Sequence, residues 1–399
     1  MKMQNIFFIA FYFPPINQIA SDRSFKFVKS LLDAGHKVTV FMASTKNVKK
    51  NYLAHSQQNF SHPNLTIIEV PTLVNNHSFY SNSTFFKRLS FYFFTMLFKD
   101  LGYLWFPNLY QALKKQKKPD LIIATGNPFV TFLVPYFLKI PYILDFRDLW
   151  SDNPVSVTKI NCPNFLINFI EKLVIKNAKN IITISKAYKE VLVKKYSLKN
   201  VVVLYNLPSL SLKFEHPSKL FSDQYLNFVY VGTLYKDNRS FEPILLAIKK
   251  LDYNLQLKIR IHYYGVNSER AIYEFEKFGL KDLLIDHGFV TKNEASDAIL
   301  SADLLLSFVG LGEYSKDLTE KGIITTKIFE YLLANKIILN IAPKDNELNE
   351  LIDCPSFFSF DSTAVDKIAD FLANFKVQEV NNKIMTWEEQ FSNNFREFL

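Results

Sequence analysis

Cysteine is nearly missing from this chain. Cys162 and Cys354 are far apart in sequence and form no cluster with metal-ligand spacing. A disulfide framework and a cysteine-based metal centre are therefore excluded as organising devices, and the composition points to a reducing compartment. Long apolar runs are missing too: none reaches the ~18 uninterrupted residues of a membrane span, so the chain reads as one that does not cross a bilayer. The opening run Ile6–Phe13 imitates a signal peptide but ends at Pro14-Pro15 without a small-residue cleavage site. Its flanks favour a buried first strand. No Gly-x-Gly-x-x-Gly follows the opening strand of either half, which argues against the dinucleotide-dependent oxidoreductases. Low-complexity tracts and short repeats are absent as well.

What is present suffices for a large folded protein. With 399 residues, 48% of them hydrophobic, the chain can fill more than one core. Charge is unevenly divided: residues 1–214 hold 27 Lys and Arg against 10 Asp and Glu, a net of +17, and the remainder sums to −8. A basic half of this size predicts an anionic partner, phospholipid or nucleic acid, unless it is only drift in surface charge. Residues 79–106 are dense in Phe and Tyr, punctuated by Lys87, Arg88 and Lys99, and too polar to span. The stretch suits an interfacial helix at the headgroups or a helix buried under the first sheet; the +17 balance favours the membrane.

Periodicity gives two successive α/β patterns. Strands are predicted at Ile6–Phe13, Lys37–Ala43, Leu65–Val70, Asp120–Ala124, Tyr142–Asp145, Asn180–Ser185 and Val201–Leu204, with a helix over Ser21–Ala34 capped by Ser21 and stopped by Gly35. A polar, Pro- and Ser-containing stretch, 209–225, reads as a linker between a first domain, 1–208, and a second, 226–380. There the pattern restarts with strands at Asn227–Val231, Leu257–Tyr264, Leu283–Asp286, Ala302–Phe308 and Ile337–Ile341. Helices are expected from Phe241, over Asn293–Leu300 and over Thr326–Leu333. Continuous apolar strands alternating with helices imply parallel sheets covered on both faces. The last segment, 381–399, reads as a terminal helix packing back toward the first domain.

Several segments, in order along nearly the whole chain, resemble the GT-B glycosyltransferases of the family-4 type that build bacterial surface polysaccharides. They include Tyr12-Phe13-Pro14-Pro15 with Ser21-Asp22-Arg23, then Gly35-His36-Lys37-Val38-Thr39-Val40. Further on come Pro141–Trp150, Val229–Lys236, Asp286-His287-Gly288-Phe289-Val290 and Glu320–Leu332. The resemblance implies two Rossmann-like, doubly wound parallel-sheet domains facing a central cleft. Arg23, Asn127, Asp145 and Arg147 fall on the acceptor side, with an ordinary surface salt bridge as the other reading of Arg23. Asp148 is the residue to orient or deprotonate the acceptor hydroxyl if burial raises its pKa; the alternative is an Asp–Arg pair that only fixes the turn. Gly232 and Thr233 meet the donor, and Lys236 and Arg239 stabilise the departing diphosphate. Gly288 and Phe289 belong to the loop that reads the nucleobase. Thr326 is placed to cap a helix whose first-turn amides face an anion, helped by Lys327, while Glu330 holds the donor ribose. Two departures stand out. The loop Ile16-Asn17-Gln18-Ile19-Ala20 lacks the usual glycines, and Gly322 occupies the position of the first of two family glutamates.

The implied activity is transfer of a sugar from a nucleotide-diphosphate sugar to a lipid-linked or saccharide acceptor, with retention, no metal and no cofactor. A sugar-nucleotide epimerase of the same fold, or a non-enzymatic membrane-surface protein, is the alternative. The partners implied are the donor, a lipid-linked acceptor and an anionic membrane surface, not nucleic acid. The location implied is the inner face of the cytoplasmic membrane.

Overall fold

The computed structural model describes residues 2–16, 18–48, 53, 60–72, 102–152, 165–208, 220–234, 239–310, 321–322 and 324–399. It divides into two compact units, Met1–Asn206 with Trp387–Leu399, and Leu207–Thr386. Most of the aromatic stretch 79–106, most of the inferred linker, and Lys236 lie outside the described residues.

The first unit holds strands β1 (Asn5–Ile9), β2 (Lys37–Ala43), β3 (Leu65–Val70), β4 (Leu121–Thr125), β5 (Tyr142–Phe146), β6 (Asn180–Thr183) and β7 (Val201–Val203). They form one sheet in the order β3-β2-β1-β4-β5-β6-β7, and every pairing is parallel. Helices α1 (Ile19–Asp33), α2 (Phe106–Lys114), α3 (Leu133–Leu138), α4 (Phe165–Lys176) and α5 (Lys186–Tyr196) cover it. Every residue of β4 and β5 is buried, because helices on both faces of a parallel sheet leave no wet side; that is why these strands read as unbroken apolar runs. α1 begins at Ile19 rather than after Ser21. Gln18 holds the cap position without a side-chain bond, and Ser21 is buried in the first turn. Gly35 does end the helix, at φ +84°, a left-handed conformation that costs glycine nothing.

Ile6, Phe8, Val38 and Val40 of the sheet meet Phe27, Val28, Leu31 and Leu32 of α1 in one core, which Trp387 and Phe391 complete. These last two come from the final helix of the chain, Trp387–Phe398. Its Trp387 Nε1 donates to Ser30 Oγ at 3.0 Å, and Gln390 both accepts from and donates to the Tyr205 backbone, at 2.7 and 2.9 Å.

The second unit has six strands, β8 (Leu226–Val231), β9 (Ile259–Tyr264), β10 (Leu284–Gly288), β11 (Leu304–Phe308), β12 (Ile337–Ile341) and β13 (Phe357–Phe360). They run in the order β10-β9-β8-β11-β12-β13, again all parallel. Its helices are α6 (Glu242–Ile248), α7 (Tyr253–Lys258), α8 (Ser268–Lys277), α9 (Lys292–Ser301), α10 (Lys327–Leu333), α11 (Leu348–Leu351) and α12 (Val365–Ala373); the terminal helix described above is α13. The strand expected from Leu257 starts two residues later, since Leu257 lies in α7 and is 49% exposed. A capping box opens α9, in which the Thr291 side chain accepts from Glu294 N–H and the Glu294 carboxylate accepts from Thr291 N–H. Two doubly wound sheets, one per unit, are the architecture.

Candidate active site

Each sheet reverses its strand order once. β1 stands between β2 and β4, and β8 stands between β9 and β11. Ligands of open α/β sheets bind beyond the carboxyl ends of the strands at such reversals.

In the second unit, Gly232 and Thr233 follow β8 directly. Gly232 N–H donates to Tyr264 O at 2.9 Å and Gly265 N–H donates to Gly288 O at 2.8 Å, so three glycines stand abreast at the ends of β8, β9 and β10. A Cβ on Gly265 would overlap the Gly232 carbonyl, so space alone demands glycine there. Gly288 needs it for another reason, a φ of +65°. Asp286 Oδ1 accepts from Gly288 N–H and from Ser268 Oγ, each at 3.0 Å. The turn so formed leaves Phe289 84% exposed.

A hydrogen bond ties α10 to this edge. Val231 N–H, at the end of β8, donates to the buried Tyr331 hydroxyl at 2.9 Å. Tyr331 lies one turn beyond Lys327, so the bond brings the first turn of α10 to the Gly232–Thr233 corner. Arg239 Nη1 reaches Thr233 O at 3.4 Å, and Lys327 Nζ donates to Glu330 Oε2 at 2.7 Å, with both side chains partly exposed. Among the described residues the corner therefore presents two cations, one carboxylate and a glycine backbone. Thr326 does not cap α10. It has the helical angles φ −66° and ψ −22° and makes no side-chain capping bond, whereas a cap requires extended angles to aim its hydroxyl at the first-turn amides.

A polar chain crosses β8, β9 and β10 from the buried Asn227 and His262 to the exposed His287. His262 Nε2 faces Asn227 Oδ1 at 3.2 Å and His262 Nδ1 faces His287 Nε2 at 3.0 Å. Asn227 Oδ1 accepts only, so His262 carries its proton on Nε2 and accepts from His287. Burial pushes the His262 pKa down to about 4, with His287 and Arg260 adding to the effect. Burial lowers His287 as well. His287 stacks on Tyr264 with ring centroids 4.1 Å apart.

The first unit corrects two expectations. Arg23 and Asp145, read as acceptor-side groups, are each 1% exposed. Arg23 Nη2 donates to Asp145 Oδ1 at 2.6 Å, Nε to Oδ2 at 3.1 Å and Nη1 to Leu204 O at 3.0 Å. Its guanidinium carbon also lies 5.3 Å from the centre of the Trp387 ring. The pair joins α1, β5, the end of β7 and α13, and neither member has surface left for a ligand.

Arg147 is also occupied. Its Nε donates to Gly126 O at 2.5 Å and Nη2 to Asn127 O at 2.9 Å, which clamps the turn after β4 to the turn after β5. The Asn127 side chain is exposed beside it. Gly126 has no room for a side chain, because a Cβ would meet Phe129 and Phe132. Asp148 is partly exposed on the same turn. Burial raises its pKa, while Arg147 opposes that shift and Asp145 adds to it. The turn is held from below: Trp150 stacks on Phe129 at 5.4 Å, and Ser151 Oγ donates to the buried Glu171, which also accepts from Tyr196 OH at 2.7 Å. Lys195 Nζ ties Asp152 Oδ2, Ser151 Oγ and Asn168 Oδ1 at 2.5, 2.7 and 2.8 Å.

Gly265, Tyr331 and the Glu171–Lys195 network are not among the site residues the sequence points to. Tyr264-Gly265 at a strand end was a readable signal for the first. The other two depend on partners 100 and 25 residues away and leave no local trace. Among the described residues no three His, Cys, Asp or Glu side chains gather as a metal site.

The family model described as Glycosyltransferase Family 4 matches residues 25–207. No curated protein matches the chain in sequence. Among solved structures it is similar to Alr3699/HepE of Anabaena in complex with UDP-glucose, at 11% identity over 99% of this chain and 95% of that one, TM-score 0.58. It is also similar to WaaG, a glycosyltransferase involved in lipopolysaccharide biosynthesis, at 13% identity over 98% and 94%, TM-score 0.55. A third is the UDP-GlcNAc 2-epimerase of Methanocaldococcus jannaschii, at 13% identity over 98% and 99%, TM-score 0.53. The two doubly wound sheets are thus those of the GT-B fold. Within that fold the first unit is similar to the family-4 glycosyltransferases, whose model matches residues 25–207.

Proposed function

We propose that the protein transfers a glycosyl group from a nucleotide-diphosphate sugar to a lipid-linked saccharide or lipid carrier, in the building of a bacterial surface polysaccharide such as capsule, O-antigen or exopolysaccharide. The observation that carries this reading is the bond from Val231 N–H to Tyr331, which sets Lys327 and Glu330 at the corner already holding Gly232, Thr233 and Arg239. Close backbone and paired cations suit a diphosphate, and a carboxylate one turn along suits the hydroxyls of a ribose. Gly288 and the exposed Phe289 offer a backbone edge and an aromatic face for a nucleobase. The glycosyl C1–O bond to the diphosphate breaks with its electron pair leaving on the phosphate oxygen, where Arg239, Lys327 and Lys236 offset the growing charge. The acceptor oxygen bonds C1 with retention, and Asp148 orients its hydroxyl or takes its proton. This scheme assigns no metal and no cofactor. The protein would work at the anionic inner face of the cytoplasmic membrane, where a lipid-linked acceptor is presented.

A panel of UDP-, GDP- and dTDP-sugars tests the reading by thermal stabilisation. One nucleotide class should raise the unfolding temperature, and the double variant Lys327→Ala/Glu330→Ala should lose that shift. Unchanged affinity in the double variant would refute the donor assignment. Conversion of the donor sugar without any acceptor, seen by NMR, would instead establish the epimerase reading.

A further inference from the structure

We propose that the outward face of α4 is a docking surface for an anionic lipid interface. It rests on the glycosyl-transfer reading only for its purpose, access to a lipid-linked acceptor; the surface itself follows from the geometry of one helix.

On α4, Phe165, Phe169 and Leu173 are 76%, 58% and 36% exposed. Residues four apart advance roughly 40° around a helix, so the three line a sector about 80° wide. Lys172 and Lys176 fall in or beside that sector and are exposed too. The phenylalanines are not displaced core residues, because the inner face of α4 is already filled by Ile167, Val174 and Ile175. Nor can the helix roll to hide them. Its inward carboxylate, Glu171, is 1% exposed and accepts from both Ser151 Oγ and Tyr196 OH, and rolling would strip a buried charge of its partners. Glu171 is also the only acidic residue of α4, so the outer face is apolar and cationic without a counter-charge of its own.

Another exposed aromatic lies on a second helix of the same unit. β4, β5 and β6 follow one another across the sheet, and right-handed crossovers between them place α3 and α4 on the same face. Phe137 of α3 is 54% exposed and touches Phe106 of α2 edge-on, with centroids 5.9 Å apart. Two phenylalanines and a leucine aligned along one helix differ from the singly scattered apolar residues of an ordinary surface.

The intermixed lysines choose the occupant. Lysine stems lie along apolar surface while their ammonium groups reach outward, which suits a headgroup layer with anionic phosphates over acyl chains. A second copy packing isologously would bring Lys172 and Lys176 toward their own equivalents, a repulsion that a lipid surface turns into attraction.

The test is co-sedimentation of the full chain with phosphatidylcholine vesicles, alone or with roughly a third phosphatidylglycerol to supply the anionic surface. Wild type should bind the anionic vesicles. Phe165→Ser/Phe169→Ser should weaken that binding tenfold or more, and Lys172→Gln/Lys176→Gln should weaken it severalfold on anionic vesicles alone. Tyr253→Ser, removing an aromatic ring 72% exposed on the second unit, should change nothing. Nucleotide-sugar stabilisation retained by the Phe variant shows that it folds. Full vesicle binding by that variant, no binding by wild type, or a wild-type dimer that the same substitutions dissociate would each overturn the proposal. Vesicle binding without any donor binding would instead keep the docking surface and reject the transferase reading.

Discussion

Replacing Arg23 by methionine removes one member of an ion pair in which both side chains are 1% exposed. Two bonds to Asp145 and one to Leu204 O are lost, and the Asp145 carboxylate is left in a place that water does not reach. Stranding one charge of such a pair costs about 3–5 kcal/mol, against a typical domain stability of about 5–15 kcal/mol. For a unit of this size the unfolding temperature should fall on the order of 10 °C. The fluorescence assay is selective, since all three tryptophans, Trp105, Trp150 and Trp387, are buried in the first unit. Asp145→Leu alone should cost as much. The double variant Arg23→Met/Asp145→Leu should recover much of the loss, because neither charge then remains unpaired. At a temperature where Arg23→Met is folded, transfer should persist within a few fold. A small change in midpoint together with a hundredfold loss of transfer would refute this account and return Arg23 to the acceptor.

Three further outcomes are expected. Tyr331→Phe leaves the Val231 N–H without its acceptor in a buried position and should cost about 1–3 kcal/mol; hydrogen exchange at the end of β8 should quicken and nucleotide stabilisation shrink, and unaltered exchange would count against the tie. His262 has a folded-state pKa pushed down to about 4, so the unfolded chain takes up the proton first as pH falls. The second unit should then lose stability from the ordinary histidine range, about 6.5, down to about 4, by about 3 kcal/mol at most. Exchange protection in β8 and β9 followed against pH measures this, and His262→Asn should flatten the dependence. Asp148, raised by burial, should impose an acid limb on the transfer rate: activity falls as pH drops through a value above the usual aspartate range, and Asp148→Asn should remove most of the rate. A pH profile flat through that region would rule out Asp148 as the group that accepts the proton.

Strand and helix positions were legible in the sequence because burial on both faces of a parallel sheet forces long apolar runs. Ile337–Ile341 and Lys37–Ala43 are found residue for residue. Elsewhere local pattern and tertiary packing disagree. Ile6–Phe13 looks continuous, yet the strand ends at Ile9 and the chain turns toward Pro14-Pro15. β13 is not among the strands that periodicity predicts: Phe357–Phe360 is only partly buried along its length, so it lacks the profile of an inner strand.

The site divides in the same way. Glycine requirements belong to the backbone and show in the sequence, and the acidic-basic turn Asp145–Asp148 was visible as a unit. Which of its charges face a ligand was not. Composition cannot tell an arginine that reaches solvent from one folded inward onto an aspartate 122 residues away; only the packing of α1 against β5 decided that Arg23 is structural and left Asp148 partly exposed. The amphipathic pattern of α4 can likewise be written from sequence, but whether its second apolar stripe is covered depends on where Glu171 is anchored. Periodicity is a property of neighbours along the chain and survives in the sequence, whereas exposure is set by distant segments and exists only once they have met.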